Sequence, residues 1–359
     1  MKVINRYILK DFISYSITCL AVLVFIYVVI NLFDNLGKYL AKNVSLMDIM
    51  IYYLYLTPSY IVLLIPIAVI MGVFLVFGVM TKNRELIALK TSGLNINHLF
   101  SLIFKIGIII AIFTFVFQET IGVWAQTRMY EHRLARIEKR PRRPPSLQRN
   151  FFYYGENNWV YFIKKFDSTT NIMNDIVLWE ITKDNRVKKR IDAKSGKYEK
   201  FWIFEQATAR EFDTLGGENI KEYAVLNMSE LKEKPQDIIK RVKPLEEMNF
   251  LEICKFVRKR SRAGDYVAKE NVELNYRFSY PIITLIVLLI ALPLSVVLKR
   301  GGIAIGLGIS IVIAFTYWGM IQSCRAYGVA GLMDPLVAAW LPNFVFGTIG
   351  LILMFRVRR

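Results

Sequence analysis

The sequence predicts an α-helical membrane protein with six transmembrane helices and an inserted all-β domain, of β-jellyroll type, between helices three and four. Three observations predict it. Hydrophobic residues make up 54% of the 359 and aromatic residues 14%, while the formal net charge is +18; a soluble domain could not bury that much apolar side chain. Six apolar runs, five of them uncharged and the third carrying only Lys105, reach or exceed the roughly twenty residues that a helix needs to cross about 30 Å of hydrocarbon. Between the third and fourth runs the pattern changes to short β-branched and aromatic segments separated by turn residues. The expected domains are 1–122 (helices one to three), 123–268 (the β insert with flanking helices) and 269–359 (helices four to six).

Met1 to Asp11 carries Lys2, Arg6 and Lys10, and Phe12 to Phe33 then runs without a charge. No small-residue cleavage site follows, so this is read as a retained first span rather than a signal peptide. After Asp34, Lys38, Lys42 and Asp48, the uncharged run Ile49 to Met80 contains Pro58 and Pro66, which predicts a long and bent second span. The loop Thr81 to Asn97 has Asn83 as a candidate cap, Glu85 in a first helical turn, Lys90 in the last and Gly93 as terminator. Two turns are marginal alone in water, so the flanking spans must hold this helix, with Leu86 and Leu89 along one side. A helix held that way is a handle for something outside; the plainer alternative is an interfacial helix that turns the chain around. Span three is expected at Leu99 to Phe117, with Lys105 snorkelling.

In the insert, Phe151 to Phe166, Ile176 to Ile181 and Phe201 to Ala207 read as strands, with turns at Gly155-Glu156-Asn157-Asn158, Lys183-Asp184-Asn185 and Gly216-Gly217. Strands this short suggest a sandwich or jelly roll. Met248 to Ala263 repeats Phe250, Leu251, Cys254 and Val257 at helical spacing before Gly264. The last spans are Phe278 to Leu298, Ile303 to Cys324 and Pro335 to Phe355, the first two joined by the tight turn Lys299-Arg300-Gly301-Gly302. One set of short segments holds Lys2, Arg6, Lys10, Lys82, Arg84, Lys90, Lys299, Arg300, Arg356, Arg358 and Arg359; the opposite short loops hold Lys38 and Lys42. That asymmetry puts both termini and the Thr81 to Asn97 loop in the cytoplasm, and the insert on the far side.

Chemistry within the chain is largely excluded. Lys194-Ser195-Gly196-Lys197 lacks the glycine and the hydroxyl residue of a phosphate-binding loop, and no GxSxG or HExxH occurs. Spans nearly free of ionisable groups weigh against a proton- or ion-coupled pump, so uphill movement would need energy from another chain. Cys19, Cys254 and Cys324 lie far apart, and His98 and His132 lack metal-site spacing. No metal, cofactor or nucleic-acid partner is expected. Basic residues cluster at Arg128, Arg133, Arg136, Lys139, Arg140, Arg142, Arg143 and Arg149, and again at Lys255, Arg258, Lys259, Arg260 and Arg262. Flanking the insert, they predict a cationic collar suited to a phosphate-bearing lipid, or simple attraction to anionic phospholipid. Candidate phosphate contacts are Lys38, Arg133, Arg136 and Arg277; the alternative for Arg277 is an i,i+4 pair with Glu273, worth about 0.3–0.5 kcal/mol if exposed.

The chain resembles the permease family of the lipopolysaccharide export system, LptF/LptG (YjgP/YjgQ). The resemblance rests on Arg6-Tyr7-Ile8, Arg84-Glu85-Leu86 through Gly93, Val272-Glu273-Leu274 with Arg277 and Pro281, Arg300-Gly301-Gly302, and Ala339-Trp340-Leu341-Pro342-Asn343, in that order around a β insert. It implies a non-catalytic subunit in the bacterial inner membrane, paired with a second paralogous permease and a cytoplasmic ATPase dimer. The complex would extract lipopolysaccharide from the outer leaflet, and the periplasmic jellyroll would join a bridge of similar folds. The loop helix (Arg84, Glu85, Leu86, Leu89, Gly93) would dock on the ATPase, with Glu85 as the matching acid, and Lys38 and Arg133 match basic residues around the cavity. Two departures stand out: Asn31 where some relatives carry a lysine, and no proline near Trp124. Other readings are an exporter of another anionic lipid or lipoprotein, a membrane anchor displaying a β domain, and a headgroup enzyme using Asp34, Glu119 or Glu273, which lack partners at catalytic spacing.

Overall fold

The computed structural model describes residues 2–92, 96–139, 147–155, 158–167, 170–182, 186–212, 217–231, 233–238, 244–262, 266–297 and 302–357. The chain divides into two compact units: Met1–Glu138 with Leu245–Phe250 and Ala268–Arg359, and Lys139–Pro244 with Leu251–Val267.

The first unit is a helical bundle, and six of its described helices are long and apolar enough to span a membrane. Helix α1 (Lys2–Ala41) is followed by α2 (Leu46–Lys82), the short α3 (Glu85–Thr91) and α4 (Ile96–Phe117). Pro58 and Pro66 both fall inside α2, which continues through them as one helix. Near them, Thr57 Oγ1 donates to the Tyr53 carbonyl (2.8 Å) and Tyr280 Oη to the Leu63 carbonyl (2.7 Å), local compensation of the kind that lets membrane helices tolerate proline.

Span three is longer than the sequence suggests. Beyond Phe117 it runs through a π segment (Gln118–Gly122), α5 (Val123–His132) and a second π segment (Arg133–Ile137). No proline interrupts this stretch, so polarity alone does not end the helix. Each π turn accommodates an extra residue, a feature often found at functional sites.

Later in the chain come α8 (Ala268–Val297), α9 (Gly302–Val329) and α10 (Pro335–Val357). Asp334 accepts the Leu336 amide (2.9 Å) as N-cap, with Pro335 in the first turn. The expected turn at Lys299, Arg300 and Gly301 lies outside the described residues. The apolar windows of α2 and α8 are 67% and 72% buried, against 11% for α1 and 17% for α9. The bundle is therefore organised on α2 and α8. Their Ile70, Val73, Phe77, Leu288 and Ala291 form one cluster with Leu99, Phe100 and Ile103 of α4.

The second unit holds the inserted β domain. Strands β1 (Leu147–Tyr154), β2 (Trp159–Asp167), β3 (Ile172–Ile181), β4 (Val187–Tyr198), β5 (Trp202–Phe212) and β6 (Glu218–Met228) form one antiparallel sheet in sequence order. The order is an up-and-down meander, and among the described residues no strand crosses between neighbours. Short α6 (Pro235–Ile238) and α7 (Phe250–Arg262) follow, most of α7 belonging to this unit. On α7 Ile253 is buried, while Leu251, expected on the apolar face, is exposed. The expected turn residues Glu156, Asn157, Lys183, Asp184, Asn185 and Gly216, together with Gly264, lie outside the described residues.

A crease crosses the sheet. No ladder pair falls on the row Asn150, Lys164, Asp175, Lys194, Gln206 and Ala224. In alternate strands, the residue on this row (Asn150, Asp175, Gln206) has φ near +50°, a conformation that Asn and Asp tolerate better than most residues. The inward alternation slips by one residue there: Tyr161 and Ile163 are followed by Phe166, and Trp202 and Phe204 by Ala207. One face consequently stays buried on both sides of the crease.

Over that face, Glu233 acts as a clasp. Its carboxylate accepts from Tyr161 Oη (2.8 Å) and its carbonyl from Trp202 Nε1 (2.8 Å). Burial, and then the Glu233 charge, push the Tyr161 phenol well above its usual range, so it remains a donor. A side chain on Gly196 would meet the Phe204 ring at 2.7 Å and Ile176 at 2.8 Å. Gly196→Val is expected to destabilise the insert by about 1–3 kcal/mol. Loss of near-ultraviolet circular dichroism on heating measures it; an unchanged melting temperature would mean that Phe204 does not seat against Gly196.

Candidate functional site

The loop helix is held on one side and free on the other. Asn83 does not cap α3; its amide bonds to the Val79 carbonyl (2.9 Å) and so closes α2. Arg84 then takes φ 61°, and this left-handed step turns the chain into α3. Leu86 is 4% exposed and belongs to the bundle's main apolar cluster, and half-buried Leu89 packs against that cluster. Glu85 accepts from Asn83 Nδ2 (3.0 Å) and from Tyr7 Oη of α1 (3.2 Å). Arg84, Ile87 and Ala88 face outward, Ile87 at 58% exposure. Thr91 and Ser92 bond back to the carbonyls of Ala88 (3.0 Å) and Leu89 (2.9 Å), helping to end a helix whose expected terminator, Gly93, lies outside the described residues. An Asn before an acidic residue suits the end of one helix as well as the start of the next, and here it ends α2.

At the opposite end of α1 and α2, a second cluster packs Tyr39, Tyr52, Tyr53 and Tyr60 with Met129 and Ile137. Around it stand three of the predicted cations. Lys38 is exposed, with Nζ on Asn35 Oδ1 (3.0 Å). Arg133 bonds Glu138 (3.0 Å) but is half exposed, and Arg136 reaches to 4.0 Å of Asp48. His132 Nε2 donates to the Asp48 carbonyl (2.9 Å). Asn31 accepts from Tyr53 Oη (3.0 Å), so it bridges α1 to α2. Of the two collar clusters, Arg140, Arg142 and Arg143, and the side chains of Lys259 and Arg262, lie outside the described residues.

Arg277 departs from its expected role. It is 2% exposed, and its guanidinium donates to Glu119 (2.8 Å) and to the Leu245 carbonyl (2.9 Å). The expected pair with Glu273 is long (3.9 Å), because Glu273 instead takes Arg325 at 2.5 Å. Glu119, in the first π segment, also accepts the Phe250 amide (2.6 Å). A cavity of about 240 Å³ adjoins this network, lined by Ser59, Gln118, Gln126, Glu246, Glu273, Arg277 and Arg325. Its acids offset its two arginines, so it is no anion trap. Sequence reasoning missed the Glu119–Arg277 pair, 158 residues apart; the available signal was that a bundle of apolar spans carries few ionisable groups, and these must find each other.

Six apolar helices, a β domain inserted after the third and a short helix presented between the second and third define a multi-pass membrane protein. The chain belongs to the LptF/LptG family, lipopolysaccharide export system permeases, which it matches over residues 6–356. It is 20% identical over 359 aligned residues to the lipopolysaccharide export system permease protein LptF of Escherichia coli K12, covering 98% of this chain and 94% of that protein. The LptF proteins of Escherichia coli O157:H7 and Shigella flexneri align with the same identity and coverage.

Glu119→Gln removes one charge of a buried pair and leaves Arg277 uncompensated, a change expected to cost about 3–5 kcal/mol. Arg277→Met added to it should recover much of that loss. Thermal unfolding of the two variants in detergent measures this; a silent Glu119→Gln would mean that the pair is open to water.

Proposed function

We propose that this chain is the permease subunit of an ATP-driven exporter that takes lipopolysaccharide from the outer leaflet of the inner membrane, with its termini and α3 in the cytoplasm and its β domain in the periplasm. Family membership supports the cargo, and the distribution of short-loop cations supports the orientation. The observation that carries the mechanism is α3: gripped by Leu86 and Leu89, it turns Arg84, Ile87 and Ala88 outward. A partner ATPase that seats this face moves the bundle with it. The chain holds no engine of its own, and the cycle alternately widens and collapses a cavity between it and a paralogous permease. Exposed faces of α1 and α9 offer acyl chains an apolar wall, and Lys38, Arg133 and Arg136 offer cations to phosphates. Arg277 leaves that set, since Glu119 occupies it.

The insert suits hand-over to a periplasmic bridge of similar folds. Edge strand β6 is exposed over Glu218–Val225, with Ile220 and Val225 more than half exposed. Such an edge is a template for strand addition from a partner.

Glu85→Lys is expected to abolish export while the permease pair still assembles, and normal export with the ATPase retained would overturn the coupling reading. Replacing Lys38, Arg133 and Arg136 together by Ala should cut the lipopolysaccharide that copurifies, measured by mass spectrometry. An unchanged yield would remove these cations from the cargo path, and a different anionic lipid or lipoprotein in the wild-type complex would redirect the cargo assignment.

A further inference from the structure

We infer that the first span is a lever worked by α3: Tyr7 and Asn5 tie its inner end to the loop, Ser16 rests on Gly72 as the pivot, and Lys38 rides the far end. The inference rests on the reading of α3 as the ATPase contact. Four observations carry it.

Tyr7 Oη donates to Glu85 of α3 (3.2 Å), and His98 Nε2 at the start of α4 hydrogen-bonds the Asn5 amide oxygen (3.2 Å). Thus α1 is bonded to both sides of the loop. Ile8 and Phe12 are 0% exposed and share one apolar cluster with Leu86, Leu99 and Phe100. A movement of Leu86 meets α1 through close-packed side chains, which transmit displacement rather than absorb it.

Ser16 is buried against α2 at Gly72, where an added Cβ would collide with the Ser16 hydroxyl. The Ser16 Cα would itself lie 3.2 Å from that Cβ, so the backbone of α1 as well as the hydroxyl crowds this position, and a residue without a side chain suits it. Beyond it the packing changes. None of residues 17–38 is buried, although both neighbours of that stretch, Ser16 and Tyr39, are. The long arm of α1 therefore lies on α2 by one face and is free on the other.

Helix geometry sets the gain. At about 1.5 Å per residue, Tyr7 lies roughly 14 Å from Ser16, and Lys38 roughly 33 Å beyond it on the other side. A rigid α1 tilting at Gly72 carries Lys38 about twice as far as Tyr7, in the opposite direction. Asn31–Tyr53 and Tyr39–Tyr53 are the hydrogen bonds on the long arm that would have to slip. Tyr7 is thus a positioning residue: it touches neither nucleotide nor cargo, and acts through Glu85 and α1.

The test uses the assembled permease–ATPase complex in lipid nanodiscs, with the chain's own cysteines replaced and spin labels at Leu40→Cys and Leu332→Cys, both exposed positions. In the parent, the label distance is expected to change between the nucleotide-free and vanadate-trapped states. Tyr7→Phe combined with Asn5→Ala should suppress that change and lower export per ATP hydrolysed roughly three- to tenfold, the scale of one ordinary solvent-exposed hydrogen bond. ATPase binding and hydrolysis should persist in that variant, whereas Glu85→Lys should lose the ATPase. Gly72→Ala is expected to jam the pivot with the same readout. A parent distance that ignores nucleotide, or a Tyr7→Phe/Asn5→Ala complex that moves and exports like the parent, overturns the lever and leaves the docking of α3 standing. Failure of Ile87→Cys to cross-link to the ATPase would overturn both.

Discussion

Burial of Leu86 is the contact on which the molecule's proposed working depends. Seven residues cannot sustain a helix in water, because nucleation costs more than so few hydrogen bonds return. Helix α3 exists because Leu86 sits in, and Leu89 packs against, the apolar cluster built by α1, α2, α4 and α8, while Glu85 is held by Asn83 and Tyr7. The same contacts that fold it make it a rigid handle. Its exposed face is left without a role in the bundle, which is what a docking surface requires.

Polar groups in the bundle are placed with equal economy. Glu119, Arg277, Glu273 and Arg325 form a chain of pairs, and Glu119 and Arg277 also hold the backbone of Phe250 and Leu245. An ionised side chain in a membrane protein is tolerated when it is paired or faces a polar cavity, and here both conditions are met beside the 240 Å³ space. The network fastens the short return segment Leu245–Phe250 to the spans. The tyrosine cluster at the far end of α1 and α2 has the complementary character: Tyr39, Tyr53 and Asn31 join helices by neutral hydrogen bonds, which exchange partners at lower cost than buried charges do. The bundle thus combines a fixed centre on α2 and α8 with a more loosely held α1.

Much of the architecture was legible because bilayer crossing imposes a length and an absence of charge that no other constraint mimics. All six spans, the β insert and the short helix at Glu85 follow from that and from turn chemistry. Helix ends were less legible. Asn83 closes α2 instead of opening α3, and span three continues past Phe117 through two π segments, since nothing local to Gln118–Ile137 forbids helix. Aromatic and β-branched segments with turn residues between them did reveal strands at 151–166, 176–181 and 201–207, but the charge-rich β4 and β6 lack that composition, and the one-residue slip at Lys164, Asp175 and Gln206 is a property of the whole sheet, visible once all six strands are aligned. Of the predicted cations, Lys38, Arg133 and Arg136 are exposed around one cluster, whereas Arg277 is claimed by an acid 158 positions away. Long-range pairing of that kind leaves no trace in local spacing.

A preformed, bundle-held α3 is the central claim, and hydrogen exchange of its amides tests it most directly. In the permease alone, the Ala88 and Ser92 amides, bonded to the Arg84 and Ala88 carbonyls (3.1 and 3.0 Å), should exchange far more slowly than in a free peptide of the same sequence. Leu86→Ala should remove that protection. Exchange at the free-peptide rate in the intact permease would contradict the account, because a helix that forms only on contact cannot be the rigid handle described.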